Sequence, residues 1–264
     1  MAEPDRVLVS VADHVAHVRL HRPDKRNGMD AAMFDALVAA GMRLHADPAV
    51  RAVVLSGDGK AFCAGLDWLA FLGGGQKDTA RLLERGSDSP ANLAQRACWI
   101  WAELPIPVIA AVHGAAFGGG LQLALAADLR LLGRDARLSV MEVRYGLIPD
   151  MTASQTLLRL VRPDVARELV FTGRIVEAEE AVRIGLGTRV CDDPLAEALA
   201  LAGTIASHSP SAVRAGKQLC DRAPAMSTAD ALRFETELQL GLLGSEEQME
   251  AAQAALGQRA AVFK

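Results

Sequence analysis

The sequence predicts an α/β fold, and three features support that reading. The stretch Pro107–Ala127, PVIAAVHGAAFGGGLQLALAA, passes from an aliphatic strand-like run through a glycine turn into a helical pattern. Strand and helix patterns alternate from Arg6 to Leu132, and the last third of the chain reads as almost all helix.

In the first of these stretches Val108, Ile109 and Val112 suit a buried strand, whereas Leu121, Leu123, Ala124 and Leu125 are good helix formers. Between them stand Gly114, Gly118, Gly119 and Gly120. Without Cβ atoms they let a ligand reach the backbone, and the N–H groups that open a helix lack intrahelical partners at its positive dipole end. The run G-A-A-F-G-G-G-L-Q fits neither the G-x-G-x-x-G dinucleotide spacing nor a G-x-x-x-x-G-K-[ST] phosphate loop. A nascent oxyanion is the better guest, and a tight turn with close strand–helix packing is the alternative.

From the N-terminus, Arg6–Ser10 and Val15–Leu20 alternate about Ala12-Asp13 as a hairpin, and His21–Gly28 is a basic turn. Asp30 is placed to cap a helix over Ala31–Ala46, followed by a buried strand at Val50–Leu55. Ser56–Asp67 again sets small residues after a strand, giving a second cluster of approachable backbone N–H groups. Residues 73–91 carry the weakest pattern and read as a mobile loop with one helical turn, and Asn92–Glu103 is helical up to Pro105. Short strands at Asp128–Leu132 and Arg137–Val140 precede a connector, Glu142–Asp150. A helix at Ser154–Val161 follows, with capping-box spacing in Thr152-Ala153-Ser154-Gln155. Further helices are predicted at Asp164–Phe171, Glu177–Ile184, Pro194–His208, Pro210–Leu219, Thr228–Leu243 and Glu246–Gln258. A boundary near Ser207–Ser211 divides a core, residues 1–207, from a helical extension, residues 208–264, whose apolar faces can join neighbouring subunits.

At 264 residues, 51% hydrophobic and 23% charged, the chain can bury a substantial core and is not of disordered type. A net charge of −4 without a basic–aromatic cluster argues against nucleic acid as a partner. The four cysteines show no C-x-x-C spacing, so neither a disulfide framework nor a metal site is expected, and the cytoplasm is the simplest compartment. The N-terminus has no signal-peptide pattern, and the C-terminal VFK is no targeting signal. Leu104–Ala127 lacks Asp, Glu, Lys and Arg, but Pro105, Pro107 and the glycines break it as a lipid-facing helix, so no membrane partner is expected.

Taken together, HRPDKRNGMD, KAFCAGLDW, PIPVIAAVHGAAFGGGLQLALAADLR, MEVRYGLIPDMTASQTLLRL and FTGRIVEAEEAVRIGLGTRV resemble the enoyl-CoA hydratase/isomerase, or crotonase, superfamily over nearly the whole chain. The resemblance implies a spiral of ββα repeats with a C-terminal helical region that assembles homotrimers or dimers of trimers. It implies an acyl-CoA thioester as partner and no cofactor or metal, CoA being part of the substrate. Carried over by position, the oxyanion donors are the N–H groups of Leu66 and Gly119, with Ala64 and Asp67 beside the substrate and Lys25 and Arg26 near the CoA phosphates. Enolate charge builds on the thioester oxygen, and each such donor is worth about 2.7–4 kcal/mol.

Hydratases of this family carry an acid two residues after the glycine triplet and a second at the connector. Here those positions are Gln122 and Glu142. An amide orients water but cannot take its proton. Asp150 follows Glu142 by eight residues, a spacing similar to that of dienoyl-CoA isomerases, in which the acid pair moves protons during double-bond migration; those isomerases have Asp in place of Gln122. Isomerisation through Glu142 and Asp150 is therefore the expectation. Hydration of a 2-enoyl-CoA with Glu142 as acid/base, and acyl-CoA binding without efficient catalysis, are the alternatives. Asp150 as a helix cap, Glu142 paired with Arg137 or Arg144, and Gln122 as a satisfied polar residue are the structural ones.

Overall fold

The structure, a computed structural model, describes residues 5–74, 76–86 and 89–263. Val7–Ala12 (β1) and Val15–Leu20 (β2) form the expected antiparallel hairpin, turning at Asp13 and His14, both of which adopt positive φ. Ala52–Gly57 (β3), Val108–Val112 (β4), Leu129–Gly133 (β6) and Arg189–Cys191 (β9) then add in parallel to give the order β1-β2-β3-β4-β6-β9. A second, smaller sheet holds Ala115–Phe117 (β5), Arg137–Ser139 (β7) and Val176–Glu177 (β8) in that order. Single bridges from Met29 to Leu66 and from Cys63 to Ala116 extend this second layer towards the N-terminal half. Each winding of the chain thus contributes a long strand, a short extended piece and a helix, which is the ββα spiral.

β4 is apolar at every position, as is β3 from Ala52 to Leu55, because both faces are covered. Val53 and Leu55 of β3 point into the main core, where Ala31–His45 (α1) and Leu93–Ala102 (α4) pack, and Trp101 there is fully buried. Ala52 and Val54 point the other way, against Pro194–Ala206 (α9). The helix approaches closely because Ala198, Ala202 and Ala206, four residues apart, face the sheet. Asp30 caps α1 by accepting from Met33 N–H, and Asn92 makes a full capping box with Gln95 on α4.

Trp68–Gly74 (α2) and Gln76–Leu83 (α3) replace the loop expected over 73–91, of which residues 75, 87 and 88 lie outside the described residues. Gln, Lys, Ala, Arg and Leu are good helix formers, and α3 buries Leu82 while Arg81 stays exposed. Gly119–Leu125 (α5) opens earlier than a simple turn would allow, because β5 occupies part of the glycine run. Leu157–Leu160 (α6) is shorter than the sequence pattern suggests, and the capping box at Thr152 does not form. Thr152 has a φ of 83°, its hydroxyl has no partner, and the chain turns there before entering the helix. Pro163–Thr172 (α7) and Ala178–Ile184 (α8) follow. Pro210–Arg222 (α10), Thr228–Leu242 (α11) and Glu246–Leu256 (α12) complete the chain, and no helix among the described residues is long and apolar enough to cross a membrane.

Candidate active site

Two backbone turns meet at one wall of a cavity of about 340 Å³. The first descends from β3. Ala64 N–H donates to Arg26 O (2.9 Å), Met29 N–H donates to Gly65 O (2.8 Å), and Asp67 N–H donates to Met29 O (3.0 Å). This bridge uses the groups on either side of Leu66 and not the N–H of Leu66 itself, which alternation turns the other way. The second turn is the β5–α5 junction. Gly118 N–H is engaged by Ser139 O (2.9 Å), whereas Gly119 is the first residue of α5, so its N–H has no acceptor within the helix.

Gly65 and Gly118 make the meeting possible. Gly65 has a φ of 87°, and a Cβ there would lie 2.5 Å from Phe117 O and 3.7 Å from Gly119 N, so the two turns are in direct contact. Gly118 has a φ of 51° and ψ of −121°, a conformation that only glycine takes readily.

Glu142 opens the 3₁₀ turn Glu142–Tyr145, and its carboxylate lies beside Gly118; a Cβ on that glycine would be 3.4 Å from Oε1. Its Oε1 accepts from Gln122 Nε2 at 2.6 Å, and its Oε2 is buried with no partner. Burial pushes this carboxyl above its ordinary range, and the nearby Asp150 pushes the same way. Asp150, though exposed at the surface, lines the same cavity, and partial desolvation there raises its carboxyl too. The pairing of Glu142 with Arg137 does not occur, since Arg137 faces Glu177 (3.5 Å). Gln122 is 2% exposed and lies behind the cavity wall, where its Oε1 accepts from Met151 N–H (2.8 Å) and Ala153 N–H (3.2 Å).

The other sequence candidates separate. Ala64, Leu66 and Gly119 line the cavity, while Lys25 and Arg26 are exposed on the 3₁₀ turn Pro23–Lys25 and its cap, outside the cavity wall. Asp67 also lies outside that wall, bound to Arg22 Nη1 at 2.7 Å and capping α2 through Ala70 N–H. Partial burial would raise the Asp67 carboxyl, but the Arg22 hydrogen bond holds it below its ordinary value. Burial pushes the Cys63 thiol up to about 12 and its Sγ donates to Asn27 O, as befits a packing residue.

Sequence reasoning missed Arg22 and Asn27, read only as part of a basic turn. Fully buried Asn27 donates from Nδ2 to Asp58 O, Ala61 O and Phe62 O and accepts from Arg22 N–H, which ties the turn at 22–27 to the segment leading into Leu66. The Asn-Gly pair was its one sequence signal. Also unforeseen is the outer wall, where Trp68 and Tyr145 stack at 4.8 Å between centroids and 25° between planes. Phe34, Phe71, Leu82, Leu83 and Ala94 make the rest of the cavity apolar. The combination can bind an apolar acyl group, stabilise negative charge on a carbonyl oxygen, and exchange protons with its carbons.

The chain is similar to proteins already known. A model of the enoyl-CoA hydratase/isomerase family matches residues 11–264. A protein of Mycobacterium tuberculosis that carries the name "probable enoyl-CoA hydratase" is 44% identical over 219 residues, covering 82% of each chain. The human mitochondrial Delta(3,5)-Delta(2,4)-dienoyl-CoA isomerase is 34% identical over 261 residues, covering 94% of this chain and 77% of that protein. The crystal structure of enoyl-CoA hydratase from Bacillus anthracis superposes with a TM-score of 0.90 at 29% identity, covering 98% of this chain and 99% of that one.

Proposed function

The chain belongs to the enoyl-CoA hydratase/isomerase family of acyl-CoA enzymes, and on that footing we propose that it moves double bonds in an unsaturated acyl-CoA, with Glu142 and Asp150 as the proton carriers. The observation that carries this reading is that the carboxyls of Glu142 and Asp150 line one cavity together with Leu66 and Gly119, whose N–H groups are not used by the two turns. The thioester oxygen accepts from both N–H groups. Glu142 breaks the C–H bond next to the thioester, the electron pair passes into a conjugated enolate, and Asp150, protonated at the outset, forms a C–H bond farther along the chain. Substrate and product are isomers, and the two acids exchange their protons with solvent between turnovers. No cofactor takes part, and CoA enters as part of the substrate.

Two-carboxylate hydration has less support, because the position that would hold the second carboxylate is Gln122, whose oxygen is occupied by two backbone N–H groups. The test is a 3,5-dienoyl-CoA and a 2-enoyl-CoA series of increasing chain length, followed by the appearance of conjugated-diene absorbance and the loss of enoyl absorbance. Diene formation abolished by both Glu142→Gln and Asp150→Asn is expected. Efficient hydration with no diene formation would transfer the activity to the hydratase reading, and tight binding with no turnover of either series would leave an acyl-CoA binding protein.

We further propose that residues 208–264 assemble the chain into homotrimers, or dimers of trimers. In support, α11 has no buried residue, and Leu232 and Leu240 on it and Leu243 at its C-cap are all more than half exposed.

A further inference from the structure

Gln122 sits in the first turns of α5 with both ends of its amide engaged. The direction of that amide is fixed by what surrounds it. The backbone N–H groups of Met151 and Ala153 can only donate, so the oxygen must face them and the NH₂ must face Glu142. The turn that supplies both donors is bent at Thr152, a β-branched residue with a φ of 83° whose hydroxyl is buried without a partner. A conformation of that kind is unfavourable for a β-branched residue and persists only when its surroundings over-determine it. Here it aims two N–H groups, from residues on either side of Thr152, at a single oxygen. On the far side, the NH₂ meets Oε1 of Glu142 as a donor, which reserves that oxygen as an acceptor. A proton on Glu142 must then reside on Oε2, the oxygen that the protein leaves unpartnered.

We propose that Gln122 is a positioning residue that holds the Glu142 carboxyl in one orientation and makes Oε2 the only atom through which Glu142 takes and returns a proton. The inference rests on the role proposed for Glu142 above. In the forward step the substrate C–H bond breaks, its electron pair enters the enolate, and an O–H bond forms at Oε2 while Oε1 keeps its hydrogen bond. The same arrangement spends the amide oxygen on the backbone and one NH₂ hydrogen on Glu142, so residue 122 has no acceptor left that could take a proton from a water. An amide thereby orients the isomerisation base while offering no second base to a water.

Two substitutions test this. Gln122→Met removes the donor to Glu142 and the acceptor for the turn. Gln122→Glu keeps an acceptor for Met151 and Ala153 N–H, and so preserves the turn, but sets a carboxylate against Oε1. The Glu142 carboxyl is titrated by NMR in ¹³C-glutamate-labelled protein and assigned through Glu142→Gln, and kcat and KM are measured across pH. Both variants are expected to move the Glu142 titration and the acidic limb of kcat to higher pH. On the order of a 10²-fold loss in kcat accompanies that shift, since small misplacement of a reacting group has that cost. KM is expected to stay within about twofold, because Gln122 does not line the cavity and proton-transfer geometry acts on kcat. A titration and a pH profile unchanged in Gln122→Glu and Gln122→Met, with only the melting temperature lowered, would overturn the inference. If the wild type turns over no dienoyl-CoA yet the titration still responds to residue 122, the isomerase reading falls and the clamp on Glu142 stands.

Discussion

At the scale of single residues, the burial that would suit Glu142 to the proposed proton transfer also makes it a burden on the fold. Burial raises its carboxyl above the ordinary value, as it does that of Asp150. The folded protein therefore holds these protons to higher pH than the unfolded chain does. Where the native state binds more protons, stability falls as pH rises, so the loss runs from the ordinary carboxylate range up to the folded values. Glu142→Gln removes one such group while leaving an acceptor for Gln122 Nε2. It is expected to be inactive, yet to melt at a higher temperature than the wild type at neutral pH and to show a flatter decline from mildly acid to neutral conditions. Thermal melts across that range check this, and a variant that is no more stable at neutral pH contradicts it. Glu142, Asp150, Leu66 and Gly119 were legible as candidates because the family resemblance carried them over by position. The partners of Gln122 were not, since Met151 and Ala153 lie 29 and 31 residues away and only the tertiary turn at Thr152 brings their N–H groups round.

Among the elements, α10 is tied to the core by a side chain whose importance nothing in the local sequence announces. Lys217, 6% exposed at its side chain, reaches Asp128 Oδ1 at 2.5 Å and Asp221 at 3.2 Å. The other oxygen of Asp128 accepts from the N–H of Val108, the first residue of β4, at 2.7 Å. One aspartate thus fastens the start of the strand that leads to the site and the first helix of the C-terminal region. Lys217→Ala leaves that carboxylate without its cation and is expected to cost about 2–3 kcal/mol, somewhat below the value for a wholly buried pair because Asp128 keeps partial exposure. Urea unfolding measures it, and a change within about 0.5 kcal/mol would show that the link carries no stability. Most helices and long strands were legible from periodicity, down to the Asp30 cap. The three residues of β5 were not, because a strand embedded in a glycine run has no period to read and exists through its pairing with β7 and its bridge to Cys63.

For the molecule as a whole, the alternation of strands and helices announced the fold class, and five motifs in sequence order implied the spiral. The two-sided burial of β3 and β4 became visible only with α9 in place, because an apolar run does not say what covers it. The proposed assembly makes its own prediction. Leu240→Glu puts a charge into the exposed stripe of α11 and is expected to shift sedimentation from trimer to monomer while leaving the far-ultraviolet circular dichroism unchanged; a wild type that already sediments as a monomer would refute the proposed assembly. The aromatic pair at the cavity mouth joins the two halves of the site, because Trp68 follows the turn bearing Leu66 and Tyr145 closes the turn bearing Glu142. Tyr145 is the chain's only tyrosine and Trp68 one of three tryptophans, while Trp101 is sealed in the core. A ligand that enters between Leu66 and Gly119 on one side and Glu142 and Asp150 on the other is expected to alter the surroundings of that one indole, so that the protein's own fluorescence would distinguish an empty cavity from an occupied one.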